Sequence, residues 1–168
     1  RATVDSEVAD DVGFGLWFQN NEKEIKEPLE LPVTSGEVPK WLSGSLVRNG
    51  IGSMAASPVR NFTHVFDGWA KLHSWTFNEG RVTFQTRFIN SDIRKTMQRT
   101  GDIPVQITVG PLAPPHNKLQ MLVGLLGTKM DNTPVNVVEV KGPGRSRFLA
   151  LTDTTASVEF DRDSLGAL

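Results

Sequence analysis

The 168 residues carry 18 Lys plus Arg against 19 Asp plus Glu, which excludes the basic field that draws a domain to nucleic acid. Cysteine is absent, so disulfides, thiolate metal sites and cysteine nucleophiles are excluded together; a reducing, cytoplasmic setting is expected. The length suits one domain with a real core, and no run approaches the roughly 18 apolar residues that cross a bilayer as a helix.

Residues 1–16 are polar and acidic and are expected to form a flexible lead, with order beginning at Trp17 and Phe18. The following stretch is extended, because Pro28, Pro32 and Pro39 forbid a continuous helix. In LSGSLVRNGIG, Leu46 and Val47 suit a short buried strand. Asn49-Gly50 and Gly52 then predict a tight turn whose backbone is closely approached. Ser53 to Asn61 is small and polar, the composition of a surface loop.

The chain centres on HVFDGWAKLHSWTF, from His64 to Phe77. Asp67-Gly68 is a hairpin cue, because glycine accepts positive φ without steric cost. A second turn at Asn78-Glu79-Gly80 leads into RVTFQTRFI, where Val82, Phe84, Thr86 and Phe88 fall at a period of two. Two turns with apolar strands between them predict a meander. SDIRKTMQRTGDIP is charged, a helical turn or loop closed by Gly101, and PVQITVG is a short β-branched strand.

Residues 111–130 differ in kind. After Pro111, Pro114 and Pro115, the apolar side chains Leu119, Met121, Leu122, Val123, Leu125 and Leu126 crowd into eight positions. The run is either a buried connecting helix or an interfacial segment that dips into lipid, with Lys118 and Lys129 at headgroup level. Strands resume in DNTPVNVVEV, a turn follows at KGPGRS, and RFLALTDTTASVEF supplies a further strand pair ending at the turn DRDS. Short strands separated by turn signals predict an all-β fold, a propeller or a sandwich. At about 40–50 residues per blade, the chain would hold a few propeller blades without closing a ring. Neither end carries a closing element, so a longer protein is expected.

The three histidines have no metal-site spacing. His64 and His73 are expected to be hydrogen-bonded structural residues, and His116 lies in a Pro-rich loop. There is no Ser-His-Asp order, no GxSxG elbow, and RNGIG lacks phosphate-loop spacing. The carboxylates Glu22/Glu24 and Asp161/Asp163 are expected to be solvated turn charges.

Four stretches in order, EPLELPVTSGEVPKWLSGSLVRNGIG, THVFDGWAKLHSWTFNEGRVTFQTRFINSD, DNTPVNVVEV and FLALTDTTASVEFDRDSL, resemble the carotenoid cleavage oxygenase family over residues 17–168. The resemblance is to its animal branch of β-carotene oxygenases and retinoid isomerohydrolases. It implies the N-terminal blades of a seven-bladed β-propeller, not closed within this chain. It also implies an iron(II) on the propeller axis, held by four histidines, with three glutamates hydrogen-bonded behind them that orient most of the four. An apolar tunnel would bring a carotenoid or retinoid from the membrane surface to the metal, where O2 cleaves a double bond.

The family's first iron histidine lies just past the segment that reads LTDTTASVEFDRDSLGAL here, so the resemblance implies no iron ligand and no catalytic residue within this chain. Residue by residue, Thr152 matches a threonine whose methyl faces the metal cavity. Asp153 matches the glutamate that hydrogen-bonds an iron histidine, and is shorter by one methylene, a reach of roughly 1.5 Å. Val135 and Val109 match positions on the tunnel wall. Ile51 stands where the family has proline, and the 111–130 insert lacks the cysteine that some relatives acylate. The expected functions are a carotenoid dioxygenase or isomerooxygenase with peripheral membrane contact, an isomerohydrolase of retinyl esters, or a non-catalytic lipid-binding module. The 168 residues alone are expected to be inactive.

Overall fold

A computed structural model describes residues 19–124 and 130–168. The expected lead at 1–16 and the insert residues Leu125 and Leu126 lie outside the described residues. Among the described residues ten strands and two α-helices follow in order: β1 (Ile25–Glu30), β2 (Gly44–Ser53), β3 (Ala55–Ser57), β4 (Arg60–Phe62), β5 (Trp69–Asn78), β6 (Arg81–Phe88), α1 (Asp92–Thr100), β7 (Leu112–Ala113), α2 (Lys118–Gly124), β8 (Asn136–Gly142), β9 (Arg145–Leu151) and β10 (Ser157–Phe160). They form three antiparallel sheets with strand orders β1-β6-β5-β2, β10-β9-β8 and β3-β4-β7. The fold is all-β, and among the described residues the sheets do not close on one another.

The β5–β6 hairpin forms where Asn78-Glu79-Gly80 predicts it. Glu79 and Gly80 take φ of 49° and 78°, the paired left-handed residues that a tight hairpin turn needs. Strand alternation then divides β5 between two cores. Ala70 and Leu72 point to one side and pack with Ala150, Phe160 and Leu165, joining the four-stranded sheet to the β8–β10 sheet. Trp69 points to the other, edge-on to Phe62 at 5.5 Å and packed with Phe88, Ile93, Ile103 and Leu112. Its indole Nε1 donates to the Ala55 carbonyl at 2.9 Å. Burying a side chain such as Leu72 contributes about 2 kcal/mol.

Lys71 follows Trp69 on that side and is fully buried. Its Nζ donates to the carbonyls of Asn21 (2.5 Å) and Lys23 (2.7 Å) and lies 4.8 Å from the Phe88 ring centroid. Burial lowers its pKa, opposed by Glu24 and Glu22 and reinforced by Arg94. The lysine therefore ties residues 21–24 to the sheet.

Four sequence expectations are corrected. Asn49-Gly50 and Gly52 lie within the continuous strand β2, not in a turn. Gly52 is required by proximity: a Cβ there would meet the Lys71 Cδ at 2.6 Å and Phe88 Cε1 at 2.7 Å. Asp67-Gly68 does not turn a hairpin. A 3-10 turn spans Val65–Asp67, Gly68 keeps φ at −56°, and β4 pairs with β3 and β7 instead of β5. Residues 53–61 are not a surface loop: β3 and β4 lie there, and Arg60 is buried against Asp102, with Nε to Oδ1 at 3.0 Å. Residues 104–110 are irregular, not a strand, and the Asp67 carboxylate takes the amides of Val109 and Gly110 in place of a sheet partner.

SDIRKTMQRTG does form a helix, α1. Ser91 caps it through its Oγ, which accepts from the Arg94 N–H, and Gly101 closes it at φ 77°. Asp131 accepts from the amides of Asp92 (2.6 Å) and Ile93 (3.1 Å), placing a negative charge at the helix N-terminus.

Candidate functional site: an apolar cavity beside the central turn

A cavity of about 770 Å³ lies beside the Val65–Asp67 turn. Its walls come from five stretches distant in sequence: Gly50 and Ile51 of β2, Phe66 and Asp67 of the turn, residues 106–109, residues 130–135, and Thr152 to Thr154 after β9. Phe66, Ile107, Val109 and Val135 are all more than half exposed, so their apolar surfaces are presented to the cavity.

Polar contacts from the backbone hold these walls. The Asp67 carboxylate accepts from the N–H groups of Val109 (2.8 Å) and Gly110 (2.9 Å). The Asn132 amide nitrogen donates to the carbonyls of Asp67 (3.1 Å) and Gly68 (2.8 Å), while its oxygen accepts from the Ala70 N–H at 3.0 Å. Asn49 donates to the Thr133 carbonyl. The Val135 N–H donates to the Leu151 carbonyl at 3.0 Å, which sets Val135 next to Thr152. The Thr154 Oγ1 accepts from the Ala156 N–H at 3.3 Å and shapes the turn that carries Asp153.

Thus Val109, Val135, Thr152 and Asp153, separated by up to dozens of residues in sequence, line one cavity. Thr152 is half-buried and Asp153 exposed. Among the described residues no hydrogen bond or ion pair engages the Asp153 carboxylate. Phe66, Ile107, Asp67 and Asn132 share the lining, and nothing local in the sequence marks them as cavity residues, since the last two act across 42 to 65 residues.

Among the described residues no three His, Cys, Asp or Glu side chains gather into a group able to hold a metal. The His64 Nδ1 accepts from the Phe66 N–H at 3.3 Å, a local structural role. Among the described residues the His73 side chain makes no hydrogen bond, contrary to expectation. It stacks at 6.2 Å on both Trp75 and Phe84, and burial, then Lys71, then Arg48 lower its pKa, which favours the neutral imidazole. Both ring nitrogens of His116 are buried without a partner among the described residues. The described residues do not supply an iron shell.

The apolar insert begins as α2, which contains Leu119, Met121, Leu122 and Val123. Leu119 and Leu122 are each 71% exposed and Met121 49%. Gly124 lets the helix end lie against Val105, whose Cβ would come within 2.3 Å of an added methyl. Val105 immediately precedes the cavity-lining stretch 106–109, so the exposed helix adjoins that wall. No helix among the described residues is long and apolar enough to cross a membrane.

Residues 18–168 match the model of the retinal pigment epithelial membrane protein family, the carotenoid oxygenases. The chain belongs to this family. It is 48% identical over 81 residues to the carotenoid isomerooxygenase of Galleria mellonella, a stretch covering 48% of this chain and 15% of that protein. It is 42% identical over 79 residues to the human β,β-carotene 15,15'-dioxygenase, covering 47% of this chain and 14% of the relative. Among solved structures, a variant of the Synechocystis apocarotenoid oxygenase superposes with a TM-score of 0.71 at 23% identity, over 90% of this chain and 30% of that one. The cobalt-substituted form of the same oxygenase superposes at 0.69 with 21% identity. The three antiparallel sheets are therefore part of the carotenoid oxygenase propeller, and the chain spans under a third of the solved structures' length.

Proposed function

We propose that this chain is part of a non-haem iron(II) dioxygenase that cleaves a carotenoid double bond with O2 to give retinal-type products. The observation that carries the reading is the cavity of about 770 Å³, where apolar Phe66, Ile107, Val109 and Val135 converge with Thr152 and Asp153. An elongated hydrocarbon binds mainly by leaving water, which suits a mostly apolar wall with few polar groups. Thr152 would shape the end of the cavity nearest the reacting bond. Asp153, whose carboxylate is unengaged among the described residues, would accept a hydrogen bond from a histidine ligand supplied by the rest of the protein. The iron would supply oxygen activation, and the residues described here bind substrate and exclude water.

The exposed apolar side of α2 supports peripheral contact with a membrane surface, where such substrates dissolve. A cytoplasmic protein resting on a bilayer would take its substrate without carrying it through water. The resemblance to the retinoid isomerohydrolases of the same family gives a second reading, hydrolysis and isomerisation of a retinyl ester without oxygen consumption. Oxygen uptake by the full-length, iron-loaded protein with β-carotene separates the two. Stoichiometric uptake with aldehyde formation supports the dioxygenase. Ester turnover without uptake supports the hydrolase, and inertness toward both substrates overturns the reading.

A further inference from the structure

Asp67 is a buried carboxylate on the cavity wall, and no cation pairs with it among the described residues. A buried charge is costly unless hydrogen-bonded, and here two consecutive backbone amides, Val109 and Gly110, supply charge-assisted bonds. Those amides belong to an irregular stretch that no sheet ladder supports. The side chains of Ile107 and Val109 are 71% and 67% exposed, so packing does not fix them either. The carboxylate is the main polar anchor of this wall. The Asp67 carbonyl meanwhile accepts from Asn132, which carries the wall stretch 130–135. One residue thus grips two walls, one through its side chain and one through its backbone.

We propose that Asp67 is a positioning residue that fixes residues 106–109 against residues 130–135. It thereby sets the register in which an elongated apolar substrate lies past Thr152 and Asp153. This rests on the polyene-handling function proposed above. The cavity is apolar along much of its lining and offers few hydrogen bonds to a hydrocarbon, so wall spacing selects which bond stops at the reacting position. Asp67→Asn keeps the shape but presents an amide, with one acceptor and a donor, to two N–H groups.

The test uses the full-length, iron-loaded protein. For Asp67→Asn, amide exchange at Val109 and Gly110 is expected to rise on the order of tenfold, with Leu72 unchanged. Carotenoid turnover should show KM raised severalfold, kcat little altered, and a second cleavage product. Gly110→Ala is the second variant: it leaves the Asp67 side chain unaltered, but its Cβ would meet the Thr63 Oγ1 at 2.7 Å and the His64 Cβ at 2.8 Å, displacing the same wall together with the Gly110 N–H that the carboxylate accepts. It should shift the product ratio as well. Unchanged exchange in Asp67→Asn overturns the proposal, and so does faster exchange with wild-type KM and product ratio. A wild-type protein inert toward polyenes would instead defeat the functional reading on which the proposal rests, whatever the exchange data show.

Discussion

Gly50 and Gly52 sit two residues apart on one strand, and the same substitution should have different effects at each. A Cβ at Gly50 meets nothing within 4 Å, whereas at Gly52 it would lie 2.6 Å from the Lys71 Cδ, 2.7 Å from Phe88 Cε1 and 2.9 Å from the Lys71 Cβ. Replacing glycine by alanine in a strand removes unfolded-state freedom worth roughly 0.5–1 kcal/mol at either site. That gain is common to both variants and cancels in their difference. What remains is overpacking at Gly52, about 1–3 kcal/mol, because a buried lysine stem and an aromatic ring have little room to retreat. Gly50→Ala should therefore equal or exceed wild-type stability, and Gly52→Ala should fall below Gly50→Ala by that margin in paired urea titrations. Two variants that agree within roughly 0.5 kcal/mol would refute the close approach at Gly52. Large losses in both would refute the strand itself and restore the tight turn expected from composition.

Acidification should destabilise the four-stranded sheet through His73. Its pKa is lowered when folded, so the unfolded chain takes the proton first: stability is intact above the ordinary value of 6.5 and declines as pH falls below it. His73→Phe should flatten melting temperature between pH 7 and 5, and an unchanged slope would reject this origin. Asp131→Ala removes the acceptor for the first two amides of α1 and should cost about 1–2 kcal/mol by denaturant titration, with Asp131→Asn intermediate. Leu119→Asp combined with Leu122→Asp should abolish flotation of the full-length protein with anionic vesicles while leaving its melting temperature in place. Equal flotation would remove α2 from the membrane contact.

How legible each feature was depended on whether its cause was local. Asn78-Glu79-Gly80 was readable because a tight hairpin demands positive φ, a demand written into neighbouring residues. The alternation in RVTFQTRF was readable for the same reason. Asp67-Gly68 misleads because its cause is remote: the carboxylate is engaged by amides 42 and 43 residues away. The glycines of RNGIG mislead because Gly52 answers to a lysine on the neighbouring strand, not to its own backbone angles. Residues 104–110 have strand composition but pair with no strand among the described residues. At the cavity, Val109, Val135, Thr152 and Asp153 were legible only through family resemblance. Phe66 and Ile107 show themselves only when the walls are assembled.

The central claim is that this cavity receives the polyene, and filling it is the most direct test. Val135→Trp in the full-length protein, with iron content measured alongside retinal-type products from a carotenoid, separates substrate exclusion from loss of metal. The account predicts normal iron and at least a roughly tenfold loss of product, in line with an obstructed binding cavity. Wild-type product yield with the indole in place would contradict it.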